Sequence, residues 1–142
     1  MLILLAGLIH CGQEIPFPEE FTLKRPVGLS VTPLPGAKYS IQYTVQNQEL
    51  TFDGYNLLIS RISISDGEAA SMVPLILNGS VPTFLHNYTQ FDPNTTITVV
   101  VDRFIYPQTY EPGTTYFFRL QAHSRKGVRS LSSNEAWGVA LP

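Results

Sequence analysis

Few side chains in this sequence could do covalent or acid–base chemistry, and their spacing brings them to no common point. The histidines are His10, His86 and His123, the one cysteine is Cys11, and Asp92, Asp102 and Glu111 are scattered rather than paired. Nucleophilic hydrolysis needs a serine or cysteine held beside a base, and no G-x-S-x-G or H-E-x-x-H occurs. There is no glycine-rich loop to wrap a phosphate and no D-x-D run to hold calcium. A single cysteine permits neither an intramolecular disulfide nor a multi-cysteine zinc site. His123 falls on the polar face of an alternating run and reads as an outward strand residue. The expectation is a non-enzymatic protein with no catalytic residue, no metal and no cofactor.

Two groupings could still bind something. The stretch Ser124 to Ser130, S-R-K-G-V-R-S, holds Arg125, Lys126 and Arg129, three of the chain's nine basic residues. The stretch Asn78 to Asn94 carries Phe84, His86, Tyr88 and Phe91. Arginine beside aromatic rings is the usual make-up of a protein interface hot spot. Arg125, Lys126, Arg129, His86 and Tyr88 are therefore the candidate partner-binding residues, for an unknown protein or glycan ligand. The competing reading has Phe84, Leu85 and Phe91 capping the core, with the basic residues as solvated decoration of a hairpin. The net charge of −2 argues against nucleic acid or a general anionic membrane surface as the partner.

The elements that must carry these residues are short strands. Of 142 residues, 44% are hydrophobic and 14% charged, too apolar for a disordered chain, and 11 Pro and 10 Gly break the sequence at short intervals. No window keeps a helical apolar period over three turns. Val27, Leu29 and Val31 mark a first strand, stopped by Pro33-Leu34-Pro35-Gly36. Tyr39, Ile41, Tyr43 and Val45 alternate with polar residues to give the cleanest amphipathic strand. Asp53-Gly54 reads as a turn, and Tyr55, Leu57 and Ile59 begin a third strand that can run on to Ile64, closed by Asp66-Gly67. Val73 to Leu77 is the expected fourth strand, and Ile97, Val99 and Val101 mark the fifth. Tyr116 to His123 is the sixth, and Ser132 to Val139 holds the seventh. Seven short strands with turns between them predict an all-β, seven-stranded antiparallel β-sandwich. In that order the second-to-third, fourth-to-fifth and sixth-to-seventh connections share one end.

Tyr110-Glu111-Pro112-Gly113-Thr114-Thr115-Tyr116 resembles the L-x-P-G-T-x-Y segment of fibronectin type III domains, with Tyr110 in place of the usual leucine. Phe118-Arg119-Leu120-Gln121-Ala122 is similar to that family's F-R-V-x-A strand. Gly127, Ser130 and Ser133 match its G-x-S-x-x-S lead into the last strand. Pro26-Val27-Gly28-Leu29 resembles its first-strand lead. The resemblance implies an immunoglobulin-like sandwich over residues 26–142, in which Tyr116 is the tyrosine corner whose hydroxyl ties a loop back to the backbone. Tyr43 stands where the family usually has a core tryptophan, and Trp137 lies in the last strand instead. A tyrosine there needs a partner or the surface for its hydroxyl.

The N-terminus suggests a destination. Leu2 to Ile9 is an apolar run of eight residues, too short to span a bilayer, which needs about 20. Ending at Cys11, it resembles a bacterial lipoprotein signal of the looser spirochaete class, with Leu8-Ile9-His10-Cys11 as the lipobox. His10 stands where Gly, Ala or Ser is usual. The resemblance implies lipidation of Cys11 and a cell-envelope protein anchored to the outer membrane or cell surface. Residues 1–11 are then a signal and lipobox remnant, and residues 12–25 a tether with Pro16 and Pro18. An ordered arm packing Phe17 or Phe21 on the domain is the alternative for that segment. Asn78-Gly79-Ser80, Asn87-Tyr88-Thr89 and Asn94-Thr95-Thr96 are glycosylation sequons, which in a eukaryotic secreted receptor or adhesion module would carry glycans.

Overall fold

The computed structural model describes residues 22–104 and 108–142. The lipobox, Cys11 and most of the expected tether lie outside the described residues. Within them the alternating runs become β1 (Val27–Leu34), β2 (Lys38–Thr44), β3 (Phe52–Ser60), β4 (Phe84–Leu85), β5 (Thr96–Val101), β6 (Thr115–Ser124) and β7 (Ala136–Val139), with one helical turn, α1 (Asp66–Ala69). All pairings are antiparallel. One sheet has the order β1-β2-β5 and the other β4-β3-β6-β7. The chain is an all-β sandwich of a three-stranded and a four-stranded sheet.

The core lies between the sheets and is unusually aromatic. Tyr39, Ile41 and Tyr43 of β2 face Tyr55 and Leu57 of β3 and Tyr116, Phe118 and Leu120 of β6, all of them fully buried. Tyr39 meets Tyr110 edge-on at 4.7 Å and Phe118 at 4.9 Å between ring centroids, a geometry that suits the ring quadrupoles. A buried tyrosine hydroxyl costs stability unless it is hydrogen-bonded. Tyr39 donates to the Gly138 carbonyl at 3.1 Å, and Tyr43 shares a 2.6 Å bond with His86. The Tyr116 hydroxyl accepts the Glu111 backbone N–H at 3.0 Å and so fastens the β5–β6 connection. Tyr116→Phe is expected to lower stability by about 1 kcal/mol by freeing that N–H, read as a lower denaturant midpoint at unchanged slope. An unchanged midpoint would contradict this role.

Four expected elements differ. The strand expected at Val73 to Leu77 is absent, and the fourth strand is Phe84–Leu85. β3 stops at Ser60 rather than running to Ile64. Asp53-Gly54 lies inside β3, where the register shifts between Phe52 and Gly54, instead of forming a turn. Asp66-Gly67 opens α1, which Ser65 caps: its side chain accepts the Glu68 N–H while the Glu68 carboxylate accepts the Ser65 N–H.

One cause lies behind the differences around residues 61–83. This segment crosses the outer face of the four-stranded sheet, so Leu58, Ile64 and Ala69 form a second small core with Met72 and Phe117. Leu75 donates its N–H to the Leu57 carbonyl at 2.8 Å. Thr83 takes the Leu57 N–H at 3.0 Å and gives its hydroxyl proton to the Leu75 carbonyl. Arg119 then clamps the segment, donating to Asp66 at 2.7 Å and to the Ser133 carbonyl at 2.8 Å. The crossing segment covers a sheet face that would otherwise meet water.

Candidate functional site

Three connections meet at one pole of the sandwich. The Arg125 N–H donates to the Thr51 carbonyl at 3.0 Å, the Gln48 amide to the Phe91 carbonyl at 3.3 Å, and the His86 N–H to the Asp53 carbonyl at 3.0 Å. These bonds join the β2–β3 loop, the segment after β4 and the β6–β7 hairpin. The hairpin turn is closed by the Gly127 N–H on the Ser124 carbonyl at 2.8 Å, with Gly127 at a φ of +77° that favours glycine. It leaves Arg125, Lys126 and Arg129 exposed. Arg129 also donates to the Met72 carbonyl at 3.0 Å, which ties the hairpin to the segment crossing the outer sheet face.

The aromatic half of the candidate surface is divided differently. His86 is only 9% exposed, its Nε2 held by Tyr43 and its ring edge-on to Phe91 at 5.0 Å. Burial pushes its pKa below the ordinary histidine value. Tyr88 is half-buried against the core, as is Phe91, and Phe84 is buried. Leu85 is 59% exposed. Phe84 and Phe91 therefore cap the core while Leu85 faces outward beside the cations.

His123, expected to point outward, is 7% exposed, with Nδ1 2.8 Å from Asp53 Oδ1. The register sets it opposite Gly54, and both faces of β6 are covered from Leu120 onward. Sequence reasoning also missed Asp53, Asn87 and Gln90. With Leu85, His86 and Arg125 they line an open cleft of about 380 Å³ at this pole. No motif announces them, because they come from three connections that meet only in the folded chain. Among the described residues, no three His, Cys, Asp or Glu side chains cluster as a metal site would require. The pole offers hydrogen-bond donors, one carboxylate, exposed cations and an apolar side chain.

The chain also joins the domain at this pole. The Lys24 N–H donates to Glu49 Oε1 at 2.8 Å, and Asn47 Nδ2 donates to the Lys24 carbonyl at 3.1 Å. Arg25 pairs with Asp66 at 3.0 Å. At the opposite pole the β1–β2 turn binds the last residues, Gly36 N–H to the Pro142 carbonyl at 2.9 Å.

The fold is a small all-β sandwich in which three connections meet at one end. No family model matches the chain, and no curated protein sequence matches it. Nineteen chains of solved structures are similar. One of them, described as "Myokine structure", is 12% identical, with a TM-score of 0.45 over 85% of this chain and 100% of that one.

Proposed function

We propose that the chain is a non-enzymatic, envelope-anchored lipoprotein whose sandwich is of the fibronectin type III kind and binds a protein or glycan at the loop pole. The observation that carries the binding role is the convergence of three connections on one pole, with Arg125, Lys126 and Arg129 exposed there. The Tyr116–Glu111 bond supports the fibronectin type III assignment. So does the place of β4, which pairs with β3, whereas in the constant-type immunoglobulin order the fourth strand joins the first, second and fifth. The anchored reading rests on Leu8-Ile9-His10-Cys11.

Together these readings bound the reach of the domain from the membrane. The eleven residue steps from Cys11 to Thr22 span at most about 40 Å. On the anchored reading, Thr22, which leads into this pole, therefore lies within that distance of the bilayer, and the partner belongs to the envelope within reach of it. A photo-crosslinking residue at position 126 should give a discrete adduct in intact envelopes, lost when Arg125 and Arg129 are replaced by serine. An equal adduct from position 35, at the opposite pole, would contradict the assignment.

The second reading, a eukaryotic secreted receptor or adhesion module, is favoured by one observation. Asn78, Asn87 and Asn94 are all exposed and all lie in connections. Glycans on these residues in the native protein would decide for it.

A further inference from the structure

We infer that the cleft at the loop pole holds a neutral sugar residue by two adjacent hydroxyls; this names the ligand class for the partner-binding reading above and rests on it. The cleft's volume of about 380 Å³ falls in the range of small-molecule sites. Its lining is balanced in charge, with one carboxylate (Asp53), one guanidinium (Arg125), two carboxamides (Asn87 and Gln90), the His86 residue held by Tyr43 and the exposed Leu85 side chain.

The unused bonding capacity of these groups defines the ligand. Asp53 Oδ1 is engaged by His123 at 2.8 Å, and Oδ2 has no partner among the described residues. Gln90 Oε1 accepts the Asn87 N–H at 3.4 Å, which leaves the Gln90 NH₂ as a donor. Asn87 Oδ1 takes the Thr89 N–H at 3.0 Å and the Thr89 hydroxyl at 2.7 Å, which leaves its NH₂ as a donor as well. The Arg125 guanidinium forms no ion pair among the described residues. The cleft therefore offers one strong acceptor flanked by several donors. A hydroxyl both donates and accepts, so one hydroxyl of a diol can donate to Asp53 while its neighbour accepts from Arg125 or Gln90. A lone cation in the cleft would face the guanidinium, and a lone anion would face the carboxylate. Leu85 supplies an alkyl surface for the C–H face of a ring.

The acceptor is also preorganised. Asp53 is fixed by its carboxylate on His123 and by its carbonyl on the His86 N–H at 3.0 Å. Gly54 follows it at a position where a Cβ would lie 2.1 Å from the Phe84 carbonyl oxygen. An acceptor already held in place loses little freedom when a ligand arrives.

The test is an NMR titration of the full chain with the methyl glycosides of glucose, galactose and mannose, and with acetate and methylamine as ionic probes. At least one glycoside should saturably shift the signals of Asp53, Asn87, Gln90 and Arg125, and neither ionic probe should. A Gln90→Ala, Arg125→Ala double variant alters exposed side chains and removes only the long, exposed Asn87–Gln90 bond, so it should change the thermal midpoint little. It should weaken binding by about tenfold or more, the loss of two donors to the ligand. No saturable shift with any glycoside, saturation by an ionic probe instead, or unchanged binding by the double variant would each overturn the inference. An adduct at position 126 together with silent glycosides would remove the sugar alone and leave the partner reading standing.

Discussion

Gly54→Ala is expected to destabilise the domain by about 3 kcal/mol or more, the range of a substitution that forces backbone out of place. Gly54 sits in β3 at a φ of +148°, which L side chains rarely adopt. A Cβ built there would lie 2.1 Å from the Phe84 carbonyl oxygen and 2.6 Å from Pro82 Cγ. The obstacle is backbone, so no rotamer change relieves it. β4 would have to leave β3, and the two-residue pairing of Gly54 with Leu85 and Tyr55 with Phe84 would be lost. Phe84 stacks on Tyr43 at 5.7 Å, so the core would be disturbed with it. Chemical denaturation measures the effect directly. A change under about 1 kcal/mol, an ordinary surface value, would show that β4 can shift freely.

The second large effect concerns Tyr43 and His86. Tyr43→Phe should cost about 1–3 kcal/mol, because His86 Nε2 is left buried without its partner beside an Nδ1 that already lacks one among the described residues. Burial also gives the pair a pH signature. The pKa of His86 is depressed in the folded chain, so at neutral pH both folded and unfolded states carry it uncharged and stability is full. As the pH falls through about 6.5, the unfolded chain takes up a proton that the folded chain resists. Stability then declines by at most about 1.4 kcal/mol per pH unit, until the folded pKa is reached. The stabilising hydrogen bonds of Asp66 to Ser132 and of Glu68 to Ser65 depress those carboxyls, so their contribution is lost only at lower pH. His86→Gln should flatten the decline between about pH 7 and 5. The same slope in the variant would place the titration elsewhere.

The sequence was most legible where polar and apolar residues alternate. Tyr39 to Val45 and Tyr116 to Ala122 alternate because alternate residues face the main core, and β2 and β6 fell where the period put them; on β6 the other face carries polar residues although the crossing segment covers it. Tyr116 could be placed because its loop has a recognisable turn chemistry at Pro112-Gly113. β4 was not legible. Two residues carry no period, and Phe84–Leu85 is a strand only because Gly54 and Tyr55 lie alongside it. The Asp53-Gly54 pair misled for a related reason, since a glycine serves a tight turn and a close backbone approach equally well. Val73 to Leu77 has the composition of a strand, but Leu75 is used to pin a crossing segment to Leu57.

The candidate site was half legible. The basic hairpin could be read because Gly127 marks a turn and the cations cluster in sequence. His86, Tyr88 and Phe91 were grouped with it by proximity in sequence, and proximity does not decide which ring turns inward. Tyr43 decided it, because a buried tyrosine hydroxyl needs a partner and His86 supplies one. The cleft residues Asp53, Asn87 and Gln90 had no signal, since each is an ordinary loop residue until three connections meet.

The central claim is that the module is held at an envelope by Cys11, and the most direct measurement is the intact mass of the native mature protein. It is made with detergent partitioning, beside a Cys11→Ser version. A mass that begins at Cys11 with added acyl chains, detergent-phase recovery, and loss of both in the variant are the predicted results. An unmodified Cys11 in a protein recovered from the aqueous phase would contradict the anchor.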